Sequence, residues 1–196
     1  VPEDAEPFTY DDDGNLLTDG RWHYTWDAEN RLTQMHTIAG VPLVAERRLE
    51  FEYDHQGRRI SKKIFDQVSG GSQIGESRYA YDGWNLIAEL DSAKNLKFRY
   101  LWGTDLSGSF QGAGGVGGLI AVVDHTASPA ETHYVAYDGN GNMVALADPA
   151  NGTWSARYEY GPFGEPIRTT GDPIAHTNPF RFSTKVAILR RIRSLS

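Results

Sequence analysis

Six segments of this chain share one pattern: aromatic, any residue, aromatic, Asp, two free residues, then Gly or Asn. They are Phe8-Thr9-Tyr10-Asp11 with Gly14, Tyr24-Thr25-Trp26-Asp27 with Asn30, and Phe51-Glu52-Tyr53-Asp54 with Gly57. The others are Tyr79-Ala80-Tyr81-Asp82 with Asn85, Val135-Ala136-Tyr137-Asp138 with Gly141, and Tyr158-Glu159-Tyr160-Gly161 with Gly164. Val135 replaces one aromatic and Gly161 replaces one Asp. Successive second aromatics are 16, 27, 28, 56 and 23 residues apart. The gap of 56 is twice 28, so a degenerate unit is expected inside it. Phe98-Arg99-Tyr100-Leu101-Trp102-Gly103 supplies the strand half of that unit.

Each element of the pattern has a physical reason. Aromatics two apart lie on one face of a strand and suit a pleated, half-buried surface. Asp in the next position fits the start of a type I turn, where its carboxylate accepts a local backbone N–H. Gly or Asn three residues later tolerates the left-handed backbone that returns the chain as a hairpin. The repeat therefore predicts about seven β-hairpins, with outgoing strands such as Asn15-Leu16-Leu17, Arg31-Leu32-Thr33 and Arg58-Arg59-Ile60. A single hairpin cannot bury its apolar face, but neighbours side by side can. The expected fold is all-β, an array of antiparallel hairpins in one long sheet. Leu119-Ile120-Ala121-Val122-Val123-Asp124 reads as a further buried strand, and no amphipathic helix of ten or more residues is expected before position 186.

Composition closes several other routes. With 39% hydrophobic residues in a chain of 196, there is enough apolar matter for a core. The absence of Cys removes disulfide frameworks, thiolate metal sites and cysteine nucleophiles. The longest purely apolar run, Leu119–Val123, is far too short for a membrane span. A net charge of −7 argues against nucleic-acid binding through the bulk field. The charge is uneven: residues 1–30 carry nine acids against Arg21, whereas residues 181–196 carry five bases and no acid. No signal peptide is visible at the acidic start, and a chain opening on Val1 suggests a piece of something longer.

The pairs Tyr10-Asp11, Tyr53-Asp54, Tyr81-Asp82 and Tyr137-Asp138, with Trp26-Asp27-Ala28-Glu29-Asn30-Arg31-Leu32, resemble the YD repeats of bacterial RHS proteins. Tyr158-Glu159-Tyr160-Gly161-Pro162-Phe163-Gly164 and Asn178-Pro179-Phe180-Arg181-Phe182-Ser183 resemble the start of the RHS repeat-associated core domain. The resemblance implies a curved strip of hairpins, part of a shell that in the family wraps a C-terminal toxin. It also implies a secreted or cell-surface setting. It divides the chain into an acidic lead (1–7), the repeat array running into the core (8–185) and a basic tail foreign to the family (186–196). The implied partners are the remainder of a shell, or another sheet edge, and a toxin cargo. The family's Asp-Pro-x-Gly self-cleavage region is missing. Asp172-Pro173-Ile174-Ala175 lies upstream of the Phe-Arg-Phe-Ser segment and lacks the Gly, so cleavage is not transferred to it.

Other motifs carry little chemistry. Gly112-Ala113-Gly114-Gly115-Val116-Gly117 matches G-x-G-x-x-G, but no strand precedes it and no helix follows, so a flexible connection between hairpins is expected. The acidic turns from Asp11 and Asp138 fail the EF-hand pattern, with Leu16 and Met143 where Gly should stand and Trp22 and Pro149 where Glu should stand. The six His show no ligand spacing, and no G-x-S-x-G elbow exists. The reading is a non-enzymatic segment with no catalytic residue, cofactor or metal.

An alternative is a carbohydrate or cell-surface module using exposed aromatics, which the exposure of Trp22, Trp26, Trp84, Trp102 and Trp154 would separate from core packing. The tail from Val186 reads either as a sequence scar or as a short basic amphipathic helix. Sheet edges are expected near residue 8 and residue 182, with Phe180-Arg181-Phe182 as an exposed, associating strand.

Overall fold

The structure is a computed structural model that describes residues 8–186. The acidic lead and nearly all of the basic tail lie outside the described residues. Among the described residues, fourteen strands form one antiparallel, unclosed sheet in strictly sequential order. The described residues group into two compact units, one running to Tyr79 with Asp91–Lys94, the other comprising Ala80–Leu90 and Asn95 onward.

The first unit holds β1 (Thr9–Tyr10), β2 (Leu16–Thr18), β3 (Trp22–Trp26), β4 (Leu32–Thr37), β5 (Arg48–Tyr53), β6 (Arg59–Phe65) and most of β7 (Gln73–Asp82). The strand period of two sorts its residues cleanly. Tyr24, Met35, Leu49, Ile64 and Gly75 lie opposite one another across successive strands. That face carries the core of Leu32, Met35, Leu49 and Phe51, flanked by Trp22, Trp26 and Tyr53. The opposite face is polar. Gln34, Glu50, Lys63 and Glu76 form one row across four strands. Ion pairs Arg48–Glu50 (3.1 Å), Lys63–Glu52 (2.6 Å) and Arg78–Glu76 (2.7 Å) lie on it.

The second unit holds the end of β7, then β8 (Asn85–Leu90), β9 (Leu96–Trp102), β10 (Leu119–Asp124), β11 (Glu131–Tyr137), β12 (Met143–Ala147), β13 (Trp154–Tyr160) and β14 (Pro166–Gly171). Its core gathers Phe98, Tyr100, Leu119, Val122, Met143, Leu146 and Tyr158. The degenerate unit expected between Tyr81 and Tyr137 is the hairpin β9–β10.

One irregularity recurs. The register slips at Thr9/Tyr10, Thr25/Trp26, Glu52/Tyr53, Ala136/Tyr137 and Glu159/Tyr160, each time at the second aromatic. Such a bulge sharpens local twist and re-aims the side chain beside it.

Three sequence expectations need correction. Asn85 does not sit in a turn: it opens β8 and is buried, while Gly83 takes the left-handed backbone (φ 55°) in a shorter connection. The 103–118 connection lies within a hairpin, not between hairpins, and is tied by hydrogen bonds rather than loose. Phe180-Arg181-Phe182 is not an exposed edge strand. After the short helix α1 (Ile174–Thr177), the chain folds back over the second unit's core. Phe180 is 2% exposed and meets Tyr100 and Trp102 edge-on at 5.0 and 5.5 Å. Phe182 meets Tyr160 edge-on at 5.7 Å, and Phe182–Thr184 form a 3-10 turn. The edge on this side is β14.

These positions set a contrast in stability. Phe51→Ala and Phe98→Ala should each cost about 3–5 kcal/mol, because both leave cavities in dry clusters. Ile74→Ala, at a 54% exposed position, should stay within about 0.5 kcal/mol. Urea denaturation followed by tryptophan fluorescence measures all three.

Candidate functional site

The repeat's chemistry is concentrated at the turns. Asp11, Asp27, Asp54 and Asp138 each accept a backbone bond from the residue four places on, at 2.7–3.0 Å. Each also accepts from the backbone N–H two places on. The turn then closes when Gly14, Asn30, Gly57 or Gly141 donates to the Asp carbonyl. All four closing residues have positive φ, between 58° and 83°. Tyr10, Trp26, Tyr53 and Tyr137 end the incoming strand immediately before these turns. Tyr81-Asp82 remains within β7, so the fourth hairpin is the exception.

A further position does equal work and was hidden in the sequence among outgoing-strand residues. Asn15, Arg31, Arg58 and Asn142, four after the Asp, clamp its second carboxylate oxygen with a side-chain bond at 2.7–3.0 Å. Arg31 and Arg58 add ion pairs to Asp27 and Asp54. The signal was available: Asn or Arg recurs at that offset in all four turns.

These bonds depress the Asp carboxyls. At Asp11 the Asn15 side chain is the main cause, and at Asp27 the Arg31 backbone N–H. At Asp54 and Asp138 partial burial pushes upward but is outweighed by the bonds from Arg58 and Asn142.

The seventh turn achieves the same result with its parts exchanged. Gly161 has no carboxylate, and Glu165, four residues on, turns its own carboxylate back to accept from Phe163 N–H at 3.0 Å. A Cβ on Gly161 would run into that carboxylate. Gly164 (φ 81°) closes the turn, and Tyr160 ends the incoming strand.

The fifth hairpin enlarges the device. Asp105, 6% exposed, accepts from Ser107 Oγ and from the backbone N–H groups of Ser107, Ala113 and Gly115 at 2.6–3.1 Å. The Ser107 hydroxyl, with these N–H groups, lowers its pKa to about 2. One carboxylate thus organises the whole glycine-rich connection. The C-terminal segment fastens it further, with Gly117 N–H donating to Thr184 Oγ1 (2.8 Å) and Lys185 Nζ to Gly114 O (3.0 Å).

A second recurrent contact joins one hairpin to the next. Trp26 Nε1 donates to Leu16 O (2.8 Å), Tyr53 Oη to Leu32 O (2.8 Å) and Trp102 Nε1 to Leu86 O (2.7 Å). Tyr137 Oη donates to Leu119 O and Tyr160 Oη to Met143 O, both at 2.7 Å. In every case the second aromatic of one hairpin reaches the start of the outgoing strand of the hairpin before, its first residue in four cases and its second, Leu86, in the other. Burial raises the Tyr137 hydroxyl to about 12 and pushes Tyr160 up as well.

One pair resembles catalytic machinery. His133 Nδ1 is hydrogen-bonded to Ser155 Oγ (2.8 Å), and the Ser155 hydroxyl also meets Leu146 O (3.2 Å). Both residues are buried, at 3% and 1% exposed, so the hydroxyl braces three strands and faces no substrate. Among the described residues no cluster of His, Asp or Glu could hold a metal ion, and no helix is long and apolar enough to cross a membrane. Trp22, Trp26 and Trp102 are half-buried, whereas Trp84 and Trp154 are exposed.

The fold and turn row define a repeat protein whose regular parts serve the sheet. No family model matches the chain. It is 26% identical over 180 residues to the tRNA3(Ser)-specific nuclease WapA of Bacillus spizizenii, which covers 91% of this chain but 6% of that protein. It is 27% identical over 180 residues to the tRNA nuclease WapA of Bacillus subtilis, with the same coverage. The chain thus spans a small fraction of the curated relatives it matches. Among solved structures it superposes on the TcdB2–TccC3–Cdc42 crystal structure with a TM-score of 0.61 and 17% identity, covering 90% of this chain and 8% of that one. The Photorhabdus luminescens Tc holotoxin pore gives 0.61 and 16%, with the same coverage. This likeness shows the fold.

Two outcomes follow from the turns. Carboxyls depressed in the folded state stabilise it fully above their unfolded pKa of about 3.9 and lose that contribution as pH falls through the lower folded values. Acid titration of stability should therefore be flat down to about pH 4 and fall between about pH 4 and 2, with the lowest part missing in Asp105→Asn. Circular dichroism melts across that range measure it. At the seventh turn, Gly161→Asp alone should cost about 1–3 kcal/mol, because it sets two carboxylates against one set of N–H groups. Adding Glu165→Asn should recover most of that loss, restoring the arrangement at Asp138 and Asn142.

Proposed function

We propose that the chain is a non-enzymatic wall segment of an RHS-type shell, of the kind that encloses a toxin cargo, with its residues devoted to stacking hairpins. The observation that carries this reading is the tie from each aromatic tip to the preceding hairpin's carbonyl, repeated at five junctions. In five of the seven hairpins the second aromatic's donor makes the tie, and in the first, second, third and sixth turns the Asp carboxylate holds the turn. The matches to small portions of WapA nucleases and of TccC3-containing toxin assemblies support a piece of a larger toxin-type protein. Within it, residues 8–185 serve as the array. The YD positions Tyr10, Tyr53, Tyr81 and Tyr137 serve the array as structural residues. A secreted or cell-surface location follows from the same reading.

A second reading rests on a different observation. Ala121, Tyr134, Ala147 and Trp154 lie opposite one another across β10–β13. Tyr134 and Trp154 are 50% and 48% exposed with only the Ala147 methyl between them, a flat aromatic surface suited to sugar rings. The two readings part in one experiment. Purified chain incubated with total tRNA, and separately applied to a glycan panel, should cleave nothing and bind nothing. RNA cleavage abolished by no nuclease inhibitor but lost on denaturing the chain would overturn the first reading, and glycan binding lost in Trp154→Ala would favour the second.

A further inference from the structure

One stretch of backbone in the second unit is held in a conformation that its residues disfavour. Ser183 and Thr184, one after the other, have φ of 51° and 52°, in the left-handed region. At the hairpin turns that region falls to Gly14, Asn30, Gly57, Gly141 and Gly164. Here it falls to a serine and to a β-branched threonine, for which it is costly. Such strain persists only where surrounding contacts impose it. Three successive turns supply those contacts. From the fifth hairpin, Gly117 N–H donates to Thr184 Oγ1 (2.8 Å), and Gly114 O accepts from Lys185 Nζ (3.0 Å). From the sixth, Gly141 O accepts from Thr184 Oγ1 (2.9 Å), and Asn142 Oδ1 accepts from Ser183 N–H (2.9 Å). At the seventh, the Phe182 ring lies so close to Gly164 that a Cβ there would strike it. The Thr184 hydroxyl is donor to one turn and acceptor from another, so a single group joins both.

We infer that residues 178–186 are a strained clasp that swings off the second unit as one piece while the strands beneath stay folded, with the Thr184 hydroxyl as its catch. The segment is closed on itself. Arg181 N–H donates to Lys185 O (3.1 Å), Thr184 N–H to Arg181 O (3.2 Å) and Lys185 N–H to Phe182 O (3.1 Å), while Phe180 bridges Val186. Asn178 Oδ1 accepts from Phe180 N–H (3.3 Å) within the same loop. What the clasp covers is an aromatic surface: Phe180 lies against Tyr100 and Trp102, Arg181 over Tyr158, and Phe182 against Tyr160. Closed, the bonds at its tip outweigh the strain. Open, the strain is released, so the two states lie closer in energy than the burial of Phe180 alone would set them. A ligand that prefers the bared rings shifts the balance toward the open form by that preference. The clasp goes beyond the wall-segment reading and does not depend on it.

Amide hydrogen exchange, read residue by residue by NMR on the whole chain, tests it, with circular dichroism to confirm that each variant keeps its strands. In the unaltered chain the N–H groups of Phe180, Arg181, Thr184 and Lys185 should exchange through one common opening, faster than those of β12 and β13. Thr184→Val keeps the branched shape and loses both catch bonds. Opening should then rise roughly ten- to thirtyfold, at about fivefold for each bond, and the fluorescence of added 1-anilinonaphthalene-8-sulfonate should rise with it. Ser183→Gly keeps the N–H that reaches Asn142 and relieves left-handed strain, so opening should fall roughly threefold or more. Equal quickening of the clasp and of β12–β13 in Thr184→Val would overturn the inference, because the two would then open only together. An unchanged clasp in Thr184→Val would remove the catch. Faster opening in Ser183→Gly would show that the left-handed pair stores no strain, and would overturn it too. None of these outcomes touches the tRNA and glycan results or the reading they test.

Discussion

The tie between an aromatic tip and a carbonyl one hairpin back is the constraint on which the rest of this sheet depends. A β-hairpin specifies its own turn but says little about its neighbour, since backbone ladders accept any register. Here the register slips at the second aromatic, and the single donor of that ring finds one carbonyl on the hairpin before. A slip of one residue would break the bond and move the first aromatic to the wrong face. Each bond contributes only about 1 kcal/mol net. Its larger effect is to make one register clearly better than the next.

The turns supply the fixed geometry that the tie requires. Asp, with Asn or Arg four residues later, holds the turn through both carboxylate oxygens. That determines where the outgoing strand begins, and so where the acceptor carbonyl lies. The seventh turn shows that the carboxylate matters more than the residue carrying it, since Glu165 serves from the far side when Gly161 cannot. The fifth shows that spacing can also change: Asp105 organises a connection of many residues and still delivers Leu119 to Tyr137.

Much of this was legible in the sequence because the pattern is local. Aromatics two apart and an Asp-x-x-Gly turn act within eight residues, and Tyr53, Asp54 and Gly57 sit where that logic puts them. Asn85 was misread because two left-handed candidates, Gly83 and Asn85, compete within one turn, and glycine takes the conformation at lower cost. The clamp at Asn15 and Arg58 was passed over because a polar residue opening a strand looks like an ordinary solvated position. Phe180-Arg181-Phe182 has the alternation of a strand, yet its partners Tyr100, Trp102, Tyr158 and Tyr160 are distant in sequence. Only the assembled sheet creates the surface that the segment covers.

That covering segment explains how the second unit closes its core without a second sheet. Arg181 lies 4.2 Å over the Tyr158 ring and donates to the carbonyls of Ala175 and Phe180, so its charge is spent internally. Asn178, fully buried, donates to Phe180 O and to Met143 Sδ. Ser183 N–H reaches Asn142 Oδ1, the same side chain that clamps Asp138. The C-terminal segment is therefore built onto the sixth turn directly, and a change at Asn142 would disturb the turn and its cover together. The first unit has no equivalent cover among the described residues. Its apolar face is shielded instead by Arg59 lying 4.4 Å over the Phe51 ring, and by half-buried Trp22, Trp26 and Tyr53. A repeat that buries itself by leaning on its neighbours needs a different solution wherever the neighbours stop, and the two units reach different ones.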